Sequence, residues 1–385
     1  MLQQEQEILA AAKHVEMAKL QRELFNKKKE EAFNDRNKPK EDRVYTLVAD
    51  YAQNMYLPNF ASSQPGATYY YSPLNEYCFG VVDASTRPSK LYGHVYLEDL
   101  GKKGGDNVAS MLWKQLKILG LIPQDNSKPA TAAKELNIVM DNCGGQNKNN
   151  MVLRMLLLLV KLGVAKTARA IFLVRGHTKN DCDRLFNLMK KIYRKSDCFS
   201  QEEVLEAIGS HPDVNAIEVK EGEFFDFNRV EEKYMKKLSS QVNQNHIFEV
   251  DVADSNSMNV YQHNGADPTK IMLVKPAYKD NNMWIDEAIL SLSDAPKPRV
   301  GLQEIKWLEL YDKWRVLIPI ERQQYYYIAT APPQSVRDKV KKHTVESKKQ
   351  RQERSRTAAS KLKDKPLEAA DKNKDDDTLP TGTNL

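Results

Sequence analysis

Residues 135–150 read ELNIVMDNCGGQNKNN, and this stretch decides the fold. Its first six residues are typical of a buried strand, which ends on Asp141. The pair Gly144-Gly145 then favours a turn. Residues 146–162 follow as a helix that is apolar nearly all round, which indicates a buried helix. A buried strand followed by a buried helix is typical of an α/β sheet.

The flanking sequence supplies further elements in an informative order. Strands are predicted over residues 44–49, 68–72, 77–83, 92–97 and 168–174, and helices over residues 106–119 and 181–195. With 92–97 as an extension of the sheet, three strands precede a helix, and two further strands each precede another helix. This is the order of the ribonuclease H fold. The sequence therefore predicts an α/β fold with a ribonuclease-H-like mixed sheet flanked by helices.

Changes in composition divide the chain into four parts. An N-terminal helix and linker are predicted over residues 1–40, and the ribonuclease-H-like core over 41–200. Short strand patterns broken by Asp, Asn and Pro predict a small α+β appendage over 201–332. Low hydrophobicity and blocks of charge predict a disordered tail over 333–385.

Acidic residues fall at the ends of two predicted strands. Asp50 follows the first strand and Asp141 follows the strand quoted above, and open α/β sheets place their sites at such strand ends. The start of the last helix offers a third acid, either Asp181 or Asp183, and helical periodicity leaves that choice open. Converging carboxylates are the ligands that two Mg²⁺ (or Mn²⁺) ions need for phosphodiester chemistry. The alternative is that these acids only begin turns.

One histidine lies at the same expected edge of the sheet. His177 follows a predicted strand, and it could move a proton near the metals or orient an acid, although a structural role is the alternative. A zinc site formed by Cys143, His177 and Cys182 does not match a known zinc spacing. The four cysteines show no CxxC pair, which favours a reducing compartment.

Charge is distributed unevenly along the chain. The net charge is +6, yet residues 337–365 alone carry 12 Lys/Arg against four Asp/Glu, so the rest is close to neutral. Within it, residues 148–195 carry 12 Lys/Arg against two Asp, which predicts a surface for a polyanion, with solvated helix faces as the alternative. The expected nucleic-acid contacts are Gln146, Asn147, Lys148, Lys179 and Arg184.

The sequence also bears on the location of the protein. The first residues are polar and helical and contain no apolar signal region, and the longest apolar stretch, 151–162, is too short to cross a bilayer. The nucleus is therefore expected, with the cytosol as the alternative and no membrane partner. The basic run 339–351 is either a nuclear address or a solvated tail.

Three segments resemble the motifs of a eukaryotic transposase-derived domain family that is mostly uncharacterised. They are Asp50-Tyr51-Ala52-Gln53-Asn54 with Leu57-Pro58, then Asp141 to Asn149, and then Gly176-His177-Thr178-Lys179 with Asp183 and Phe186. The resemblance covers roughly residues 43–200, and its middle motif is specific. In the family pattern the third acid matches Asp183. The resemblance thus implies a DDE/D-type transposase that cuts and joins DNA, with Asp50, Asp141 and Asp183 as catalytic metal ligands.

Two departures from a complete transposase widen the range of functions. No helix-turn-helix or zinc module is recognisable, and the chain begins inside a helix, as if an upstream DNA-binding domain were missing. A decayed copy of a mobile element, or a domesticated one, therefore stands beside an active enzyme as a hypothesis. The sequence is also compatible with a catalytically silent nucleic-acid-binding or interaction protein and with a ribonuclease-H-like nuclease. DNA is the expected partner, and self-association is left open.

Overall fold

A computed structural model describes residues 2–238, 241–294, 296–328 and 330–343, together with Glu346, Lys349, Gln350 and Glu353. The chain divides into two compact units, Met1–Ala331 and Pro332–Leu385. In the second unit, residues 334–343 are helical. Most of the tail predicted as disordered lies outside the described residues, as do residues 344, 345, 347, 348 and 351 of the basic run 339–351.

The first unit contains one sheet and helices on both of its faces. The strands are β1 (Val44–Tyr51), β2 (Met55–Leu57), β3 (Leu74–Asp83), β4 (Leu91–Leu97), β5 (Ala133–Met140), β6 (Ala165–Phe172), β7 (Val214–Glu218), β8 (Ile247–Asp251), β9 (Ser257–Tyr261) and β10 (Thr269–Met272). The helices are α1 (Leu2–Asn34), α2 (Gly105–Ile118), α3 (Asn150–Leu162), α4 (Asp181–Tyr193), α5 (Gln201–Gly209), α6 (Phe227–Tyr234), α7 (Gln241–Gln244), α8 (Trp284–Asp294) and α9 (Glu304–Glu309).

The strand order confirms the predicted fold class. The order along the sheet is β10-β9-β8-β6-β5-β1-β3-β4-β7, and β2 pairs with β3. Strand β1 is parallel to β5 and antiparallel to β3, and β5 is parallel to β6. The central segment β4-β3-β1-β5-β6 has the arrangement of a ribonuclease-H-like fold. The protein is thus an α/β protein with a mixed ribonuclease-H-like sheet and an N-terminal helix.

The side chains of the central strands alternate between two cores. On β1, Leu47 and Ala49 pack with helices α2, α3, α6 and α8, whereas Val48 packs with α1, α4 and α5. On β5, Met140 joins the first core and Val139 joins the second. This alternation follows from the two-residue period of a strand, and it assigns a face to every residue near the strand ends.

The structure corrects the expectation of an appendage over residues 201–332. Strand β7 pairs with β4 at one edge of the sheet, and β8 pairs with β6 towards the other edge. These strands therefore extend the central sheet, because β4 and β6 would otherwise leave backbone groups unpaired. Within the segment, residues 314–317 and α8 are helical, although short strand patterns were expected there.

The predicted strand over 68–72 is also wrong. Residues Gly66–Tyr70 form a 3₁₀ turn, and Tyr69 and Tyr70 are 87% and 80% exposed. Aromatic residues favour strands mainly through packing against neighbouring strands, and this segment has no strand partner. The short strand β2, which was not predicted, pairs with β3 instead.

Gly80 allows α4 to pack closely on the sheet. A Cβ atom at this position would lie 2.5 Å from the ring of Phe186, on α4, and 2.7 Å from Leu91. We expect Gly80→Ala to lower the free energy of unfolding by roughly 1–3 kcal/mol, because the packed core has to shift. Urea denaturation measures this change. Gly66→Ala is the matched control, since nothing lies within 4 Å of its added Cβ, and an equal loss in both variants would contradict the prediction.

Candidate active site

The register of two parallel strands brings the first two acids together. Ala49 of β1 pairs with Met140 of β5, so the residues that come next, Asp50 and Asp141, lie at the same level. Neighbouring strands are about 4.8 Å apart. Because Val48 and Val139 face α4, the alternation directs Asp50 and Asp141 to the same face. Both predicted acids therefore lie at one strand edge, on the face that α4 covers.

The Asp50 carboxylate lies near two hydrogen-bond donors and near the two other acids. It accepts hydrogen bonds from the backbone N–H of Tyr51 at 2.8 Å and from Asn180 Nδ2 at 3.2 Å. Burial raises the pKa of Asp50 to about 6, and the negative charges of Asp141 and, more weakly, Asp183 contribute to this rise against the two hydrogen bonds. The three carboxylates thus repel one another in this site.

The start of α4 places Asp181 and Asp183 differently. Asp181 forms an ion pair with Lys29 of α1 at 2.7 Å. Asp183 instead accepts the backbone N–H of the N-cap residue Asn180 at 2.8 Å, while the Asn180 side chain reaches Asp50. This capping arrangement links Asp183 to Asp50 through one residue. It supports Asp183 as the third acid, because the charge of Asp181 is already balanced.

The loop after β5 holds Asp141. Asn147 Nδ2 donates a short hydrogen bond to Asp141 Oδ1, and the N–H of Cys143 lies 3.4 Å from the same atom. The backbone N–H groups of residues 146, 147 and 148 all donate to the carbonyl of Cys143, which closes the turn. Asn149 then caps α3 by accepting the N–H of Val152. The amide-rich motif is thus largely used to shape the loop around Asp141.

A family comparison covers part of this site. A domain of unknown function (DUF7869) is found at residues 114–267. The DUF7869 region includes β5, β6 and α4, and therefore Asp141 and Asp183, but it begins after β1 and Asp50. This match agrees with an uncharacterised domain family. No curated protein and no solved structure matches the chain.

Two predicted nucleic-acid contacts in the DUF7869 region are buried. Asn147 is 0% exposed and holds Asp141, and Lys148 is 3% exposed. The Lys148 ammonium lies 3.4 Å from the carbonyl of Asn243 and over the ring of Phe172, and burial lowers its pKa to about 8. The structure therefore corrects the interpretation of both residues as surface contacts. Gln146 is partly exposed, and Lys179 and Arg184 are exposed.

Burial also reduces the basic stretch 148–195 as a surface. Arg154 is 0% exposed, and Arg169 lies between Glu135 and Glu249 with its side chain 15% exposed. In this stretch Lys166 is exposed on β6, and the other exposed basic residues lie on the loop before α4, on α4 and on the turn after it, at Arg175, Lys179, Arg184, Lys191, Arg194 and Lys195. The available basic surface thus lies mainly around α4, where six of the seven exposed basic residues are found.

His177 does not contact the acids. Its ring is exposed and lies 5.4 Å from the ring of His14 on α1, and its carbonyl accepts a hydrogen bond from Arg22 at 2.8 Å. A different histidine, His246, lies near the Asp141 loop, with Nε2 3.4 Å from Asn142 Nδ2. Sequence reasoning missed His246, because it comes 104 residues later in the chain.

The carboxylate oxygens of the site are of the donor type that a divalent cation prefers. These oxygens lie on one face, and burial and like charges raise the pKa of Asp50. A bound cation would stabilise such carboxylates in their charged form. The hydrogen bonds from Asn147 and Asn180 occupy oxygens of Asp141 and Asp183. Over the described ranges, no group of three or more His, Cys, Asp or Glu side chains is arranged to hold a metal ion. The same holds for Cys143, His177 and Cys182, the residues of the zinc alternative. The thiol of Cys182 donates a hydrogen bond to the carbonyl of Val48.

A groove of about 600 Å³ runs from Asp183 along α4. Its walls are the loop that follows Asp50 and one side of α4. It is lined by residues 51–56, 59, 60 and 62–64 and by Asp183, Phe186, Asn187, Met189, Lys190, Tyr193 and Arg194. The first motif, residues 51–54, and the third motif therefore meet in one cavity.

No helix among the described residues has the length and apolar character needed to cross a membrane.

Proposed function

We propose that this protein is a transposase-like DNA-processing enzyme that cleaves phosphodiester bonds and transfers DNA strands with the aid of Mg²⁺ or Mn²⁺. The observation that carries the proposal is the strand register that sets Asp50 and Asp141 side by side on the face that α4 covers, with Asn180 linking Asp183 to Asp50. Carboxylates held this close together without a cation repel one another, which costs stability although some of their oxygens accept hydrogen bonds. Such a cost is common at functional sites.

Each acid would have a structural basis for holding a metal. Asp50 and Asp141 are fixed by adjacent strands, and Asp183 is brought to them by the N-cap of α4. A bound divalent metal would lower the pKa of an attacking water and stabilise the leaving oxygen. Asn147 and Asn180 would hold the remaining carboxylate oxygens in orientation. His177 has no direct role in this arrangement, because its ring packs against His14.

The DNA would lie along α4. Lys179 and Arg184 are exposed beside Asp183, and they would position phosphates, whereas Asn147 and Lys148 would support the loop from inside. The proposal also includes a nuclear location, with the cytosol as the alternative, and self-association on DNA.

Calorimetric titration with Mg²⁺ and Mn²⁺ tests the metal site. We expect the wild-type protein to bind the cation and Asp141→Ala to lose the binding, because the other two acids cannot replace a strand-end ligand. Asp181→Asn is the matched control, since this acid is paired with Lys29, and it should retain binding. Unchanged titration of Asp141→Ala, or no binding by the wild-type protein, would overturn the proposal.

A catalytically silent nucleic-acid-binding or interaction protein is the second candidate. It is favoured by the hydrogen bonds that Asn147 and Asn180 make to Asp141 and Asp183, because these bonds satisfy the acids without a metal. Binding that falls steeply with salt, without nicking in Mg²⁺ or Mn²⁺, would identify it. A preference for cutting RNA–DNA hybrids would instead identify a ribonuclease-H-like nuclease.

A further inference from the structure

The groove along α4 is a built cavity rather than a gap between loops. The hydroxyl of Tyr193 accepts the backbone N–H of Tyr56 at 2.8 Å and donates to the Tyr56 carbonyl at 2.6 Å. Asn59 Nδ2 donates to the carbonyls of Tyr193 and Ser196 at 2.8 and 2.7 Å. These bonds tie β2 and the loop after it to the end of α4. The cavity is therefore formed before any ligand binds, which lowers the entropic cost of binding.

The lining of the groove offers ring surfaces and amides. Tyr56 is 41% exposed, and Phe60 and Phe186 are half-buried. The amides of Gln53, Asn54, Gln64 and Asn187 supply both donors and acceptors along the same cavity. Aromatic faces with polar amides around them fit flat, heteroatom-rich rings such as nucleobases. A purely apolar ligand would leave these amides without partners.

The charges differ between the two ends of the groove. Asp183 lies at one end, and Lys190 and Arg194 lie towards the other, about 10 and about 16 Å away along the helix axis for a rise of about 1.5 Å per residue. Lys190 is held by a short hydrogen bond to Gln53. Lys191 and Lys195 are exposed on the same end of α4. A polyanionic chain would therefore have its phosphates at the basic end and one phosphate near the acids.

We propose that this groove binds unpaired nucleotides of a single-stranded DNA or RNA segment next to the phosphate that water would attack at the acids. The proposal rests on the proposed function for its acidic end. Only unpaired nucleotides expose their base faces to aromatic side chains, since these faces are covered in a duplex. Tyr69 and Tyr70, in the turn that begins two residues after Gln64, offer further exposed rings.

Fluorescence anisotropy with labelled oligothymidylate, measured in EDTA, tests this binding. The full chain should bind the single strand more tightly than a duplex of the same length. Tyr56→Ala should weaken single-strand binding roughly 5- to 100-fold, because one stacking surface is lost. Tyr325→Ala is the matched control, since Tyr325 is 57% exposed and lies outside the groove lining. Oligouridylate in a parallel titration distinguishes an RNA preference from a DNA preference.

The outcomes separate this proposal from the metal site. Binding in EDTA does not depend on a cation. Single-strand binding by a protein that binds no metal would therefore support the groove proposal and not the metal site. Equal losses in Tyr56→Ala and Tyr325→Ala, or equal affinity for duplex and single strand, would overturn it. No binding of any oligonucleotide would also overturn it and would point to a protein partner for the groove.

Discussion

Asp50→Asn is expected to make the metal-free protein more stable near neutral pH and to abolish cleavage. Burial and the charges of Asp141 and Asp183 raise the pKa of Asp50 to about 6 in the folded state, above its ordinary value of 3.8. The folded state therefore binds more protons than the unfolded state between these two pKa values. Stability falls as the pH rises through this window, and the loss is complete above about pH 6. Asparagine carries no such charge.

The size of the effect depends on pH. Above about pH 6 we expect Asp50→Asn to gain about 1–3 kcal/mol in the free energy of unfolding, and this gain should shrink towards about pH 4. Urea denaturation at several pH values measures it. Asp181→Asn should change stability in the opposite direction, because it breaks the ion pair with Lys29. A loss of stability in Asp50→Asn at every pH would contradict the prediction.

Cleavage should respond in the opposite sense to stability. If Asp50 holds a metal, its loss removes several kcal/mol of transition-state stabilisation, so nicking of plasmid DNA should fall roughly 10³-fold or more. Added Mg²⁺ should also raise the melting temperature of the wild-type protein and leave that of Asp50→Asn unchanged. A variant that is less active but equally stabilised by Mg²⁺ would argue against Asp50 as a ligand.

Arg169→Ala is expected to cost about 3–5 kcal/mol in the free energy of unfolding. The guanidinium lies 2.6 Å from Glu135 and 2.7 Å from Glu249, and it also donates to Asn137 at 2.9 Å. Removing it leaves two largely buried carboxylates without their shared cation. Lys28, which is 2.8 Å from Glu135, can compensate only one of them.

Urea denaturation and salt-dependent DNA binding together test this structural role. Arg184→Ala is the matched control, because Arg184 is exposed on α4 and should change stability by less than about 0.5 kcal/mol. DNA binding should show the reverse order of effects. Arg184→Ala should lower the salt dependence of binding by the equivalent of about one phosphate contact, and Arg169→Ala should leave this salt dependence unchanged. A stable Arg169→Ala that binds DNA more weakly would contradict the buried role.

The fold was predictable because local patterns decide its central elements. The strands that became β1, β3, β4, β5 and β6 show β-prone runs, and their order along the chain limits the number of ways in which they can pair. The strands that extend the sheet at its two edges could not be assigned to it from the sequence. Strands β7 to β10 contribute to the same sheet only because β4 and β6 have free edges, and such long-range pairing leaves no local pattern.

The positions of two acids at one sheet edge were predictable, but their surroundings were not. Asp50 and Asp141 could be assigned to one sheet edge because parallel strands align their carboxyl ends. Periodicity left Asp181 and Asp183 open, and it could not reveal that Lys29, which lies 152 residues earlier in the chain, pairs with Asp181. Periodicity describes one helix and carries no information about which charge a distant helix supplies.

By itself the sequence determined the ribonuclease-H-like order of elements and the position of two acids at strand ends, because both depend on local patterns. Only the tertiary structure decided which charges are available to a ligand. Arg154 and Arg169 are basic in the sequence but buried in the fold, whereas Lys190 and Arg194 line a groove. Burial depends on what packs against a residue, and those neighbours are distant in the chain.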